Sequence, residues 1–332
     1  MNFAIMGRSL AALAAFGLLA FVAVATGQAQ AQPYPNRPIK LIAPFPPGSS
    51  IDIIARLLAQ PMGDALGQTV VVENKVGAGG NVGVDAVVKS PKDGYTIGIG
   101  ARGPLAINPF LVDGMSYDPV KDVAPIGIFG SSAIILWVRA ENPAKTLQEF
   151  IAQAKAQPGK LNYASDGIGT TNHLGGEALK SAAKIDIVHV PYKGTAEAIT
   201  ALLQGDVQVF PGGLPPLVGQ YKAGKIRPLA TAMKARDPQL PDVPTTGEAG
   251  IVGAEMYAWF AMFAPAGTPP EILAKIRDAL NTALTKPEVK DKLVSLGITP
   301  QLSTAQEMAK VVQDEQAKWG PVIQATKAMK TN

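Results

Sequence analysis

Two stretches rich in Gly, Ser and Thr carry most of the hydrogen-bonding chemistry of this chain. The first, PFPPGSSID, contains Pro47, Gly48, Ser49, Ser50 and Asp52. The second, SDGIGTTNH, contains Ser165, Gly167, Gly169, Thr170, Thr171, Asn172 and His173. Small residues let a backbone approach a ligand closely, and hydroxyls add donors. Each stretch lies between a β-rich run and an apolar helical pattern. The free N–H groups of the helix start then point into the loop, where the helix dipole favours negative charge. The chemistry this suits is capture of an anion. Either stretch alone also reads as a capped turn between a strand and a helix, but two that face each other across a cleft make a binding site. They share this physics and not their sequences.

Other residues are weaker candidates. In NKVGAGGNVGVDAV, Gly77, Gly79, Gly80 and Gly83 surround Asn81, either to supply backbone donors or to let a helix pack closely. Tyr192 and Lys193, in VPYKGTAEAI, follow a strand end, where ligands of open α/β sheets bind, or form an exposed turn. Arg102 sits in GIGARG and either forks onto a ligand carboxylate or is solvated. GIGARG matches the dinucleotide fingerprint G-x-G-x-x-G literally. Pro104 and Pro109 follow it, no amphipathic helix fits, and the match is read as accidental.

Catalytic and metal chemistry is sparse. The two histidines are His173 and His189, and there is no Cys, which excludes thiol chemistry and the common zinc sites. No G-x-S-x-G elbow is present. His173 at a helix start would orient the loop or donate to a ligand, and His189, in the apolar run IDIVHVPY, reads as a satisfied strand residue. No enzyme activity, cofactor or metal is expected.

The elements that must position these groups alternate. β-rich runs at 39–43, 70–73, 95–99, 133–138, 161–164, 187–190 and 207–210, with helical patterns between many of them, predict α/β layers with largely parallel sheets. The last third is more helical. Segments 146–149, 268–271 and 303–306 read as helix starts with a capping hydroxyl at Thr146, Thr268 and Ser303.

Residues 1–31 have the form of a cleaved secretory signal: Arg8, the uncharged apolar run 10–25, then the small-x-small site Ala29-Gln30-Ala31. A membrane anchor is the alternative, but the run falls short of the roughly 20 residues that span a bilayer. The remaining 301 residues exceed one common domain and predict two lobes. Without Cys there is no lipid-modified N-terminus and no disulfide, so an ordinary core must stabilise the chain, as 47% hydrophobic residues permit. The formal charge is +4 with basic residues scattered, which fits an anion-capturing protein and not a nucleic-acid surface.

Several strings occur in a fixed order: YPNRPIKLIAPFPPGSSIDIIARLLA, LGQTVVVENKVGAGGNVG, DGYTIGIG, YDPVKDVAPIG, GKLNYASDGIGTTNHLGGEALK, VHVPYKGTAEAITALLQGDVQVF, AGKIRPLA, LPDVPTTGEAG and WFAMFAPAGTPPEI. Together they resemble the tripartite tricarboxylate transporter substrate-receptor family, also called the Bug proteins, over nearly the whole chain beyond the leader. The resemblance implies an α/β, two-lobed periplasmic binding protein (type II-like), each lobe a mixed sheet flanked by helices. It implies a ligand carboxylate held between two strand–turn–helix elements, which land on the two loops above. Three departures stand out. The family usually has Gly-Gly at Gly48-Ser49, and an aromatic-Asp-Asn-like stretch at Pro211-Gly212-Gly213-Leu214. It is commonly small or apolar at Arg102.

The expected lobes are 34–128 plus 257–332, and 129–256, with APIGIF and YAWFAMFAP crossing between them. The expected function is periplasmic capture of a small-molecule carboxylate by a monomer through lobe closure, with delivery to membrane permease subunits. A periplasmic sensor subunit for a membrane kinase and an exported enzyme on the same scaffold are the alternatives.

Overall fold

The computed structural model describes residues 34–325, so the expected leader at 1–31 lies outside the described residues. The chain runs β1 (Ile39–Ala43), α1 (Ser50–Leu66), β2 (Val70–Asn74), α2 (Asn81–Val88), β3 (Thr96–Ala101), α3 (Asn108–Leu111), β4 (Val123–Ala133) and β5 (Ile135–Arg139). It continues through α4 (Leu147–Ala156), β6 (Leu161–Ser165), α5 (Thr171–Ala183), β7 (Ile187–Pro191), α6 (Thr195–Gln204), β8 (Phe210–Gly212), α7 (Val218–Lys222) and β9 (Ile226–Thr231). It ends with β10 (Tyr257–Pro265), α8 (Pro270–Thr285), α9 (Pro287–Ser295), β11 (Ile298–Pro300) and α10 (Ala305–Ala325).

One sheet has six strands in the order β11-β4-β10-β3-β1-β2. A three-stranded sheet, β8-β5-β9, and the pair β6-β7 make up the rest, and a parallel bridge from Tyr163 to Val209 links β6 to the run before β8. Among the pairs of strands, β1/β2, β1/β3 and β6/β7 are parallel and the others antiparallel. The expectation of largely parallel sheets is thus corrected to mixed sheets, and the cause is the chain path. From β4 the chain passes through Ile134 straight into β5 of the small sheet. It returns where Met256 N–H donates to Ala232 C=O at 2.7 Å, just before β10. A strand that returns beside an outgoing one runs antiparallel to it: Tyr257 pairs with Ala133 and Pro265 with Val123.

Alternation along β5 buries it on both faces. Leu136 and Val138 join Phe150, Tyr163 and Leu179, while Ile135 and Trp137 join Leu202 and Phe210. The large sheet has its own core around Leu105, Ile128, Trp259, Phe263 and Met308. Full burial of each such side chain contributes roughly 1.5–3 kcal/mol.

Local signals were off by small steps. The Thr146 cap forms as read, with Glu149 N–H donating to Thr146 Oγ1 at 3.2 Å. The second expected box shifts by one residue, to Thr304 and Glu307, because Ser303 Oγ instead accepts from Ile128 N–H at 2.9 Å. Thr268 is not a cap: its hydroxyl donates to Pro265 C=O at 2.8 Å, and α8 starts behind Pro269. GIGARG does lead into a helical segment, a π turn at Gly103–Ile107 and then α3, because Pro104 and Pro109 sit at helix starts, where proline is tolerated. Packing explains its glycines. A Cβ on Gly98 would lie 2.4 Å from the Phe263 ring, and one on Gly100 would lie 2.5 Å from Leu105.

Candidate functional site

The two loops adopt the same backbone solution. Gly48 has φ 81° and Gly169 has φ 77°, left-handed values that favour glycine. Each is followed by an extended capping residue: Ser49 at φ −70°, ψ 160° and Thr170 at φ −73°, ψ 161°. Ser49 Oγ accepts from Asp52 N–H and Thr170 Oγ1 from His173 N–H, both at 3.3 Å. The same downstream residue then reaches back. Gly48 N–H donates to Asp52 Oδ2 at 2.9 Å, and Gly169 N–H to His173 Nδ1 at 3.1 Å. This reciprocal clasp pairs the outer amides of each turn. It leaves the N–H groups of Ser50 and Ile51 in α1, and of Thr171 and Asn172 in α5, without a partner in the fold. The serine at position 49 is therefore no strain on the loop, since the positive φ falls on Gly48.

Both helix starts line one cavity. Ser49, Ser50 and Ile51 line one side; Thr170, Thr171 and Asn172 line the other. Phe45, Ile134, Ala258 and Phe260 supply apolar wall, and Ser132 and Gly213 also line it. A Cβ on Gly213 would stand 3.6 Å from the hydroxyls of both Ser50 and Ser132. No Lys, Arg or His is among the lining residues. The second loop is seated tightly on the large sheet's elements: a Cβ on Gly79 would lie 2.4 Å from Ile168 C=O, and one on Gly103 2.4 Å from Gly169 C=O. A neighbouring cavity shares Phe45 and Asp166, and Gly167, Tyr192 and Lys193 line it.

Of the residues singled out in the sequence, Ser49, Ser50, Thr170, Thr171 and Asn172 come together at the first cavity, and Tyr192 and Lys193 at the second. Pro47, Gly48, Gly169 and Ser165 shape the loops without lining either. Asp52 is a clasp residue. Burial works to raise its carboxyl pKa, but hydrogen bonds from Arg56, Gly48 and Asn74 outweigh burial and hold it below the usual range. Asn81 turns inward, accepting from Asn108 Nδ2 at 2.7 Å and from the Tyr117 hydroxyl at 3.2 Å.

Arg102 needs a correction, because its guanidinium is already used. It is 3% exposed; Nε donates to Glu315 Oε2 at 2.8 Å and Nη2 to Oε1 at 2.6 Å, between the rings of Tyr257 and Trp319. Its neighbours Ala101 and Gly103 line the cavity instead. Sequence reading missed Asp166. It lines both cavities, and the one signal for it was a single acidic residue in a loop of small ones.

His173, His189 and Tyr163 form a stack, with ring centroids 4.1 Å apart for the histidine pair and 4.8 Å for His189 and Tyr163. His189 Nε2 lies 2.6 Å from Ser165 Oγ. That pair resembles a nucleophile and base, but Ser165 is 0% exposed and holds Gly167 in the turn, so it serves the loop. His189 is the satisfied strand residue that was expected. Burial lowers the imidazole pKa of His173 to about 4 and that of His189 to about 3. Both stay neutral in the fold but titrate near 6.5 when unfolded. The unfolded chain therefore binds more protons below that value, and stability falls as pH drops from about 6.5 towards 4. Each histidine adds a slope of up to about 1.4 kcal/mol per pH unit. The melting temperature is expected to fall between pH 7 and pH 5, and His189→Gln to flatten that fall. A histidine resonance titrating near its ordinary pKa in the folded protein would contradict this.

Among the described residues no group of three or more His, Cys, Asp or Glu is placed to hold a metal, and no helix is long and apolar enough to cross a membrane.

A cleft at the carboxyl ends of β1 and β6, faced by two paired helix starts and served by outgoing and returning strands, is that of a two-lobed periplasmic binding protein, the fold seen in solved members of that class. Residues 54–328 match the model of the tripartite tricarboxylate transporter family receptor, and the chain belongs to that family. It is 35% identical over 317 residues to the protein BugT of Bordetella pertussis, covering 95% of this chain and 97% of BugT. Two solved structures are similar throughout. Rpa4515 of R. palustris, solved with adipate, is 34% identical with a TM-score of 0.85, over 88% of this chain and 97% of that one. MatC (Rpa3494) of Rhodopseudomonas palustris, with bound malate, is 33% identical with a TM-score of 0.83, over 87% and 100%. The chain is thus a solute-binding receptor and not an enzyme.

Proposed function

We propose that this receptor captures a small organic carboxylate between the starts of α1 and α5 and delivers it to the membrane permease subunits of a tripartite transporter. The observation that carries this reading is the convergence of four unpaired backbone N–H groups, those of Ser50, Ile51, Thr171 and Asn172, on one cavity. Two helix dipoles favour an anion there without any cationic side chain. The adipate and malate held by the two R. palustris relatives belong to the same chemical class.

Residues 34–128 with 257–332 would form one lobe and 129–256 the other, with β4 and β10 passing between them. Closure of the lobes around the solute replaces its water by these backbone donors. The mature protein would begin after cleavage near Ala31 and act in the periplasm as a monomer.

A ligand that binds only the folded state stabilises it, by about 2.7 kcal/mol at a hundred times its Kd. Thermal-shift screening against mono-, di- and tricarboxylates is expected to give at least one clear rise in melting temperature. No response to any of them would sink the carboxylate reading.

A further inference from the structure

The turn between β7 and α6 meets the first loop at Gly194. This glycine is buried, and a Cβ on it would lie 2.7 Å from Pro46 Cγ and 3.5 Å from Pro46 Cβ and Cδ. Its backbone does not call for glycine: at φ 177° and ψ 174° it is extended, which any residue adopts. Nor does the helix. Gly194 is the N-cap of α6 and gives it no side-chain hydrogen bond, whereas Ser49, Thr146 and Thr170 cap α1, α4 and α5 with hydroxyls. What remains is the close approach of Pro46, whose ring is rigid and has no rotamer by which to yield.

Both partners are tied to the helix starts. Ser49 N–H donates to Pro46 C=O at 3.2 Å, which fixes Pro46 one turn ahead of α1. Tyr192 N–H donates to Ser165 C=O at 2.9 Å, and the Thr195 hydroxyl to Asp166 Oδ2 at 3.1 Å. The turn that carries Gly194 is thereby joined to the loop ahead of α5. Glu197 holds the turn in shape by accepting from Lys193 N–H at 3.2 Å. Neither Pro46 nor Gly194 lines the cavity at the helix starts, so neither is placed to touch a solute there.

We propose that Pro46 and Gly194 are positioning residues, and that their contact is a stop which sets the gap between the starts of α1 and α5 when a solute is held. This rests on the capture and lobe closure proposed above, and on no particular ligand. The gap matters because N–H···O bonds hold within about 2.7–3.2 Å, and amides fixed on two helix starts cannot adjust separately. A side chain at position 194 would hold the loops apart by about 1 Å, the shortfall of the contact from ordinary carbon separation.

The test is a double-mutant cycle by titration calorimetry on wild type, Gly194→Ser, Pro46→Ala and Pro46→Ala/Gly194→Ser. The probes are succinate, adipate, malate, citrate, benzoate and any further acid that raises the melting temperature. Serine supplies the hydroxyl cap that α6 lacks, so the melting temperature of ligand-free Gly194→Ser is expected to hold or rise. A glycine needed only by the fold would lower it. Affinity for the probes that the wild type binds is expected to fall at least tenfold. In the Pro46→Ala background, where the ring that meets the new Cβ is gone, the same change is expected to cost less than threefold. A second measurement does not depend on that variant folding. A Cβ separation of 3.5 Å suits a disulfide, and the chain has no cysteine of its own. Pro46→Cys/Gly194→Cys is expected to cross-link on oxidation, and faster with a bound probe than without. The inference is overturned if Gly194→Ser binds within threefold of wild type, if the loss is equal in both backgrounds, or if a bound probe does not speed cross-linking. If the wild type binds none of the probes, the carboxylate reading fails and this inference goes with it.

Discussion

Glu315→Gln is expected to lower the melting temperature by on the order of 10 °C, while leaving ligand affinity within about threefold of wild type. The guanidinium of Arg102 is buried, and both of its hydrogen-bonding edges towards Glu315 depend on the carboxylate. Breaking such a pair by removing one partner strands a buried charge and costs about 3–5 kcal/mol. Replacing both partners with apolar residues, as in Arg102→Met with Glu315→Leu, should recover most of the loss, because no charge is then left unpaired. Melting curves and calorimetry on the three proteins separate the two roles considered for Arg102. A ligand contact would show as a large loss of affinity in Arg102→Met/Glu315→Leu; a structural clamp shows as a loss of stability in Glu315→Gln alone.

Gly103→Ala should act the other way, weakening binding at least tenfold with little change in the stability of the ligand-free protein. No positive φ protects this glycine, so alanine suits the local backbone. What excludes a side chain is the approach of another segment: the new Cβ would meet Gly169 C=O at 2.4 Å, and a backbone oxygen has no rotamer to yield. Overpacking of this kind costs about 1–3 kcal/mol. If the lobes open in the absence of ligand, the cost falls on the closed, ligand-holding state. Calorimetry with the best-binding carboxylate, beside a melting curve without it, reads both quantities. Unchanged affinity would mean that the contact between Gly103 and the second loop is not part of closure.

Much of this site was legible because it is local. A glycine, a hydroxyl cap and a back-reaching residue four positions after the glycine all fall within one turn of PGSSID and of GTTNH. Strand-loop-helix periodicity placed both turns. The echo between them proved closer than their sequences, since backbone angles at Gly48–Ser49 and Gly169–Thr170 nearly coincide. Asp52 and His173 look chemically unrelated, yet each offers one acceptor to the preceding glycine amide.

The remainder was hidden because it depends on distance along the chain. Arg102 finds Glu315 from 213 positions away, and nothing local marks the partner. GIGARG was rightly read as an accidental match, but the use of its glycines was not visible: only the placement of Phe263 and Leu105 shows that they make room for side chains. Sheet direction was misjudged because strand patterns carry no sign; β10 is antiparallel only because the chain had left the large sheet and returned. Asp166 was passed over because a lone acid among small residues also describes an ordinary turn.

The most direct test of the site is amide NMR on the ¹⁵N-labelled protein, titrated with the carboxylate that gives the largest thermal shift. The N–H signals of Ser50, Ile51, Thr171 and Asn172 should be among the most perturbed, and should saturate together at the calorimetric Kd. If those four amides stay in place while the changes gather around Lys193 or elsewhere, the two helix starts are not the carboxylate cradle.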